Sequence, residues 1–265
     1  MTDLIKGVLG SAWSLAVGWI LPTFLSLQLV AWLVAPSFSA LPGVQVFLGM
    51  DYGARQATLL AIAAVVGLVL AAAKTQLYNP LEGYALWPHR LAEWSRNRHR
   101  ARRAGWLREA EEVGTTGDDL RYGLLYRRAS RYPIDDQQIA PTALGNAIRR
   151  FETYAADRYQ LDSQLLWHHL QGAAPDRVAQ AVDSARTNVD FFVCLVWGMV
   201  FSAVVAAATL VSGAQDRTSL IIAIVLGLVG SVSSYGLALV ATDEWEAAVR
   251  AMVDHGRLAG VSWLF

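Results

Sequence analysis

Four long stretches of the chain contain no Asp, Glu, Lys or Arg: residues 8–35, 56–73, 191–215 and 218–242. A helix needs roughly 18–20 apolar residues to cross a hydrocarbon layer about 30 Å thick. Each stretch is near or above that length, and apolar helices of this kind are stable in lipid because all their backbone polar groups are bonded internally. The pattern predicts an all-α, polytopic membrane protein with four transmembrane helices.

The predicted spans divide the chain into three parts, and a helical cytoplasmic insert lies between spans 2 and 3. The parts are a transmembrane hairpin at 1–78 with spans at about 8–35 and 56–78, a cytoplasmic domain at 79–174, and a second hairpin at 175–265 with spans at about 189–212 and 218–241. The insert shows no alternating strand pattern, so we expect helices there. Asn79-Pro80 is expected to break the helical pattern, and Pro88 to open a helix that ends at about Val113. The helix of span 3 is expected to begin after Pro175, and that of span 4 to continue to Leu258.

The basic residues orient these spans. Between Lys74 and Arg186 lie 17 of the 22 basic residues, and basic residues near span ends stay on the cytoplasmic side. The insert and both termini are therefore predicted to be cytoplasmic. Arginine outnumbers lysine twenty to two, which favours a bacterial source with GC-rich DNA and hence the bacterial plasma membrane.

Small residues recur at four-residue spacing in every span. They are Gly10, Ser14 and Gly18 in span 1; Ala63, Gly67 and Ala71 in span 2; Gly198, Ser202 and Ala206 in span 3; and Gly227, Gly230, Ser231 and Ser234 in span 4. Such stripes let helix backbones approach closely in lipid, which predicts a tight bundle; lining of a pore is the alternative. Pro22 is expected to kink span 1 and to deprive the Gly18 carbonyl of its usual donor.

Hydroxyl and acidic side chains suggest a possible ion path along spans 3 and 4. The candidate pore and inner-mouth residues are Ser231, Ser234, Tyr235, Asp190, Asp243 and Glu244. In a symmetric homo-oligomer the carboxylates would form a ring that concentrates cations. This favours a homo-oligomeric ion channel or pore. The alternatives are hydrogen bonds between helices for the hydroxyls and ordinary ion pairs with arginine for the acids.

An arginine run opens the cytoplasmic insert. It comprises Arg96, Arg98, Arg100, Arg102 and Arg103. Trp87 and Trp94 lie nearby, and such a mixture is typical of segments that contact anionic lipid headgroups. Binding of nucleic acid is the less favoured alternative. The lipid bilayer is therefore the partner that this segment predicts.

Signals for catalysis or metal binding are missing from the sequence. There is no Gly-rich phosphate loop, no His-Glu-x-x-His motif and no serine elbow. Cys194 is the single cysteine, and His168 and His169 are adjacent, so they face different sides of a helix. We therefore expect no enzyme activity, no cofactor and no metal site.

Two motifs of the insert resemble a known group of proteins. Pro141-Thr142-Ala143-Leu144-Gly145-Asn146 is followed by Arg149, Glu152, Tyr154, Arg158-Tyr159, Leu161-Asp162 and Leu166-Trp167, and Glu82-Gly83-Tyr84 follows span 2. In these motifs and in its span layout the chain resembles uncharacterised four-span membrane proteins of actinobacteria. The resemblance covers the insert and the spans, and it implies no activity.

Polar residues of the same motifs form a second candidate site. Thr142 is expected to cap a single helix that extends to Tyr159, with an apolar face formed by Leu144, Ile148, Phe151, Ala155 and Tyr159. Arg149 and Glu152 are an i,i+3 pair on this helix. Glu82, Arg149, Glu152 and Asp162 could converge on a polar pocket, or they could form a structural salt network. The pocket hypothesis supports an alternative to the channel: a membrane-anchored helical scaffold or sensor that recruits a cytosolic protein partner.

Overall fold

The computed structural model describes residues 12–115, 117–162, 165–214 and 216–258, with side chains as far as residue 256. Every regular element in these residues is helical, and none of them is in a strand. Four helices are long and apolar enough to cross a membrane: Ala12–Leu33, Tyr52–Ala72, Asp176–Val211 and Arg217–Gly256. The all-α, four-span prediction is confirmed. The predicted start of span 1, including Gly10, lies outside the described residues.

The helices are numbered here in chain order. They are α1 (Ala12–Leu33), α2 (Pro42–Gly49), α3 (Tyr52–Ala72), α4 (Lys74–Glu82), α5 (His89–Gly114), α6 (Asp119–Ala129), α7 (Ala143–Glu152), α8 (Tyr154–Tyr159), α9 (Trp167–Ala173), α10 (Asp176–Val211) and α11 (Arg217–Leu258). Short 3-10 helices occur at Ala35–Phe38 and Asp136–Gln138. The long continuous helices predicted for spans 3 and 4 are confirmed by α10 and α11.

Two compact units make up the chain, as far as its residues are described. The apolar unit consists of Met1–Leu77 and Arg186–Ala238, and the polar unit consists of Tyr78–Ala185 and Leu239–Phe265. Helices α10 and α11 contribute to both units. Their apolar segments belong to the apolar unit, whereas the extensions beyond spans 3 and 4 belong to the polar unit.

Helix α1 accommodates its proline by a local change of helix type. Pro22 has no N–H to donate to the Gly18 carbonyl. The segment Ala16–Ile20 forms a π-helical turn, in which the Leu21 N–H donates to the Ala16 carbonyl five residues back. The Thr23 hydroxyl donates to the Trp19 carbonyl at 2.7 Å. The expected disruption at Pro22 thus takes the form of a widened turn with a side-chain hydrogen bond.

Glycines bring the helices of the apolar unit into close contact. A β-carbon added to Gly67 would lie 3.0 Å from the Ile20 α-carbon, and one added to Gly227 would lie 2.8 Å from the Met199 carbonyl oxygen. One added to Gly198 would overlap the Ser26 side chain. The predicted tight packing is confirmed for these positions. Only 17–33% of each apolar window is buried within the chain, so most of its surface is available to lipid.

The polar unit begins with an unexpected extension of α4 past Pro80. The sequence predicts a break at Asn79-Pro80, but the helix continues to Glu82, so this prediction is wrong. The helix ends at Gly83, which has a φ of +92°. There the Asn79 carbonyl accepts from the N–H groups of Gly83, Tyr84 and Ala85 at 3.0, 2.8 and 3.2 Å. Pro80 removes only one backbone hydrogen-bond donor from α4, so the helix can continue past it. The hydrogen bonds to the Asn79 carbonyl then cap its C-terminal end.

The remaining helices of the polar unit follow the predicted pattern with one change. Helices α5 and α6 pack through Ala110, Val113 and Leu125, and Pro88 precedes α5 as predicted. The single helix predicted from Thr142 to Tyr159 is instead divided at Thr153 into α7 and α8. Its predicted apolar face is nonetheless buried at Leu144, Ile148, Phe151 and Ala155.

Candidate functional site

The two motif segments pack directly against each other within the polar unit. Gly83 lies against the Pro141 ring, and a β-carbon there would overlap it. Gly145 lies against the Glu82 carbonyl oxygen, which a β-carbon would also overlap. Glycine is therefore required at both positions, because the neighbouring atoms leave no room for a side chain. This contact joins the end of α4 to the first turn of α7.

Hydrogen bonds fix the chain where it enters α7. The Thr142 hydroxyl accepts from the Gly145 N–H at 2.9 Å, which confirms the predicted cap. The Asn146 side chain is 1% exposed. Its Oδ1 accepts from the Ala140 N–H at 2.7 Å, and its Nδ2 donates to the carbonyls of Ala140 and Thr142 at 2.9 and 2.7 Å. The Ser95 hydroxyl donates to the Pro141 carbonyl at 2.5 Å. These bonds hold the backbone of residues 140–146, where α7 begins.

A polar cavity of about 510 Å³ opens beside this motif. Its lining consists of Tyr84, Gln138, Arg149, Glu152, Thr153, Ala156, Gln160, Leu161 and Asp162. Three of the four residues predicted to converge are in this set: Arg149, Glu152 and Asp162. Glu82 is not part of the lining, but it interacts electrostatically with Glu152 and Arg149. The structure thus places three of these residues around one cavity and Glu82 within electrostatic range of two of them.

Arg149 is held in a fixed orientation at the cavity wall. Its Nε donates to the Tyr84 hydroxyl at 3.2 Å, and its Nη1 donates to the Gln138 carbonyl at 2.9 Å. The guanidinium carbon lies 5.0 Å from the centroid of the Tyr84 ring, within the range of a cation–π interaction. Sequence reasoning missed the role of Gln138, because it contributes only its backbone carbonyl.

Two carboxyl groups share this single arginine. The pKa of Glu82 is raised from its ordinary value of 4.5 to about 7: burial is the largest cause, Glu152 adds to the rise, and Arg149 opposes it. Burial also raises the pKa of Glu152, against the effect of Arg149. The lining itself holds two carboxyl groups, Glu152 and the exposed Asp162, and one arginine. The cavity therefore carries more acidic than basic groups, which suits a cationic group more than an anion.

Two acidic residues predicted for the inner mouth of a channel, Asp243 and Glu244, lie in the polar unit. Arg131 donates to both carboxylate oxygens of Asp243, at 3.0 and 2.5 Å, and Arg127 lies 3.6 Å from it. Asp243 therefore forms ion pairs with arginines, which was the alternative to a role in a channel mouth. Its partners are more than a hundred residues away in the sequence. Glu244 is exposed within the polar unit.

The other pore candidates belong to the apolar unit. Asp190 and Ser234 are buried there, and Ser231 and Tyr235 are partly buried. Burial against neighbouring helices accords with hydrogen bonding between helices as well as with a path. The homo-oligomeric channel or pore stays a prediction, and ion currents of the reconstituted protein in planar bilayers would test it.

The five arginines of the predicted headgroup site do not share one face of α5. Arg100 donates to the Asp136 carbonyl at 3.0 Å, and Arg103 pairs with the Asp136 carboxylate at 2.5 Å. Arg96 is partly buried. Arg98 and Arg102 are exposed, and neither forms an ion pair with a described residue. Because successive helical residues turn by about 100°, the run is divided between the protein and the solvent.

A second polar cluster of this unit was not predicted. The hydroxyls of Tyr154 and Tyr159 donate to the Asp254 carboxylate at 3.1 and 2.7 Å. The Arg250 guanidinium lies 4.8 Å from the Tyr154 ring centroid and pairs with Glu246. No local pattern reveals such contacts, because the partners are about a hundred residues apart. The cluster attaches α8 to the extension of α11.

No group of three or more His, Cys, Asp or Glu side chains that could hold a metal ion occurs in the part of the chain that the structure describes. Comparisons with protein-family models, with curated proteins and with solved structures found no match. The resemblance to the actinobacterial group therefore stays a prediction, and the function must be argued from the site itself.

Proposed function

We propose that this membrane protein recruits a cytosolic protein partner through its helical insert, and that the cavity beside Arg149 and Glu152 receives a basic side chain of that partner. The observation that carries the proposal is the lining of a cavity of about 510 Å³, which holds two carboxyl groups, Glu152 and Asp162, and one arginine, Arg149. In this proposal the insert and both termini lie on the cytoplasmic side of a bacterial plasma membrane.

The size and chemistry of the cavity support a binding site. Ligand sites typically occupy about 300–1,000 Å³, and this cavity is within that range. A lysine or arginine side chain would form charge-assisted hydrogen bonds with Glu152 and Asp162. Arg149 is already bonded to Tyr84 and Gln138, so its role is to hold the wall and to limit repulsion between the carboxylates.

The open rim favours a protein partner over a small molecule. Tyr84, Ala156, Gln160 and Asp162 are all exposed, whereas small-ligand sites usually enclose most of the ligand surface. A side chain presented by a larger protein needs no such enclosure, because contacts around the rim add to its binding energy. This supports a scaffold or sensor anchored by the four spans.

Crosslinking in intact cells tests the proposal. A photoreactive amino acid is placed at Ala156 on the rim, and the matched control carries it at Glu111, an exposed residue of α5 outside the cavity lining. We expect a protein adduct at position 156 that is absent at position 111 and that Glu152→Gln weakens at least several-fold. An adduct that forms equally at both positions, or that is unaffected by Glu152→Gln, would contradict the proposal.

A further inference from the structure

The start of α5 and the two residues before Pro88 carry an exposed group of apolar and basic side chains. The exposed fractions are 83% for Leu86, 37% for Trp87, 54% for Leu91 and 60% for Trp94. Arg90 and Arg98 are exposed as well. We call these six residues the α5 face. Large apolar side chains grouped in this way usually mark a surface that contacts a membrane or another protein.

Helical geometry places these residues together. Positions 91, 94 and 98 follow each other at intervals of three and four, so they lie on one side of α5. Leu86 and Trp87 lie just before the helix, which begins at His89. The buried residues Ala92 and Ser95 lie on a neighbouring side of α5. The Arg98 guanidinium carbon is 5.5 Å from the Trp94 ring centroid, which brings a positive charge beside the apolar surface.

This composition fits the interfacial layer of a bilayer. Tryptophan is enriched there because its ring is apolar and its N–H is polar. Arginine extends its charged end toward the headgroups, and anionic lipids attract it. A second protein chain would also cover apolar groups, but the pairing of exposed tryptophan with arginine favours a lipid surface of negative charge.

The position of the α5 face in the sequence also supports contact with a lipid surface. Leu77 belongs to the apolar unit, where its carbonyl accepts from the Trp197 Nε1 at 3.0 Å. Trp87 follows only ten residues later. Its Nε1 donates at 2.9 Å to the carbonyl of Pro80, which is in the same helix as Leu77. In the sequence, the α5 face begins at Leu86, 14 residues after Ala72, where the membrane-spanning helix α3 ends.

We infer that the α5 face is a lipid-binding surface: its leucines and indole rings insert at the headgroup boundary of the inner leaflet, and Arg90 and Arg98 contact the phosphates of anionic lipids. This surface differs from the arginine run predicted from the sequence. Arg100 and Arg103 are excluded from it because they hold the chain at Asp136. The inference is independent of the partner proposed for the polar cavity.

Spin labelling of the full-length protein tests this inference. Cys194 is replaced by alanine, and a single nitroxide is attached at Leu91→Cys on the face or at Glu93→Cys, the matched control on another exposed side of α5. The protein is placed in nanodiscs of equal parts phosphatidylcholine and phosphatidylglycerol. We expect the label at position 91 to collide preferentially with oxygen, which partitions into lipid, and the label at position 93 with a water-soluble nickel chelate.

Two results at position 91 would overturn the inference. One is a preference for the nickel chelate equal to that at position 93, which would place the face in water. The other is protection from both reagents, which would show that protein covers the face. The charge contribution is tested with the Arg90→Gln, Arg98→Gln double variant, for which we expect a drop of about twofold or more in the ratio of oxygen to nickel accessibility. An unchanged ratio would overturn the assignment of these arginines to anionic headgroups.

Discussion

The α-carbon of Gly145 lies against the carbonyl oxygen of Glu82, so closely that a β-carbon at position 145 would overlap that oxygen. This contact joins the end of α4 to the first turn of α7. It also places Glu82 close enough to Glu152 and Arg149 for their charges to interact. The polar cavity thus depends on a backbone contact that only glycine permits.

Gly145→Ala is expected to destabilise the protein by about 1–3 kcal/mol, because the added methyl group meets a backbone atom that cannot move aside. The measurement is thermal or denaturant unfolding of the detergent-solubilised protein. Gly105→Ala in α5 is the matched control, since nothing lies within 4 Å of a β-carbon there. That change should stabilise the helix by up to about 1 kcal/mol. Equal effects of the two substitutions would contradict the packing described here.

Asn146→Ala should also destabilise the polar unit. It removes three hydrogen bonds and leaves buried groups of Ala140 and Thr142 without that partner. Each buried polar group without a partner costs about 1–3 kcal/mol. Asn97→Ala is the control, because Asn97 is exposed and its loss should change the free energy of unfolding by no more than about 0.5 kcal/mol. If Asn146→Ala changed the free energy of unfolding no more than Asn97→Ala does, residues 140–146 would have to be held by other contacts.

Glu82→Gln should make the protein more stable, and increasingly so as the pH rises. The raised pKa means that the folded protein holds a proton on Glu82 between pH 4.5 and about 7, where the unfolded chain has lost it. The wild type therefore loses stability as the pH rises through this window, whereas glutamine does not titrate. The gain should reach about 1–2 kcal/mol at pH 8 after allowance for partial solvent screening.

Unfolding temperatures measured from pH 4.5 to pH 8 check this expectation for Glu82→Gln. The exposed Glu111→Gln is the control, and its difference from the wild type should stay near zero across the range. A stabilisation by Glu82→Gln that is constant with pH would indicate an effect of packing rather than of charge.

In the apolar unit, Gly227→Leu is expected to disrupt packing. A β-carbon at position 227 would lie 2.8 Å from both the Met199 carbonyl oxygen and the Ala203 β-carbon. Gly236→Leu in the same helix is the control, because the space around that position is open. Overpacking costs about 1–3 kcal/mol, so Gly227→Leu should lower the unfolding temperature in detergent. A similar decrease for Gly236→Leu would show that the difference in packing is not the cause.

A double-mutant cycle should detect coupling between Arg131 and Asp243. The pair is bidentate and partly buried, with side-chain exposures of 36% and 23%. We expect Arg131→Gln and Asp243→Asn to show a coupling energy of about 1 kcal/mol in unfolding experiments. The exposed pair Arg121 and Glu109 is the control, for which a coupling energy of about 0.2–0.5 kcal/mol is expected. A coupling energy near zero for the first pair would leave Asp243 available for the inner-mouth role predicted from the sequence.

Features of the candidate site that depend on residues within one helix could be predicted from the sequence, whereas contacts between distant segments could not. Thr142 could be predicted as a cap, and Arg149 and Glu152 as neighbours, because helix geometry sets contacts within one or two turns. The contribution of the Gln138 carbonyl, the division of the arginine run, and the Asp243 ion pairs were not predictable in this way. Each depends on which segments meet after folding.

The sequence by itself determined the four spans, the stripes of small residues along them and the long helices of spans 3 and 4. Hydropathy and the absence of charge act over a single helix length, so no knowledge of the packing is needed to read them. Only the tertiary structure decided that α4 continues past Pro80 and that each of Gly83 and Gly145 packs against the other motif segment. It also decided that one arginine interacts with two partly buried carboxyl groups. These features arise from contacts between distant residues, where burial and charge are set by neighbours that the local sequence does not contain.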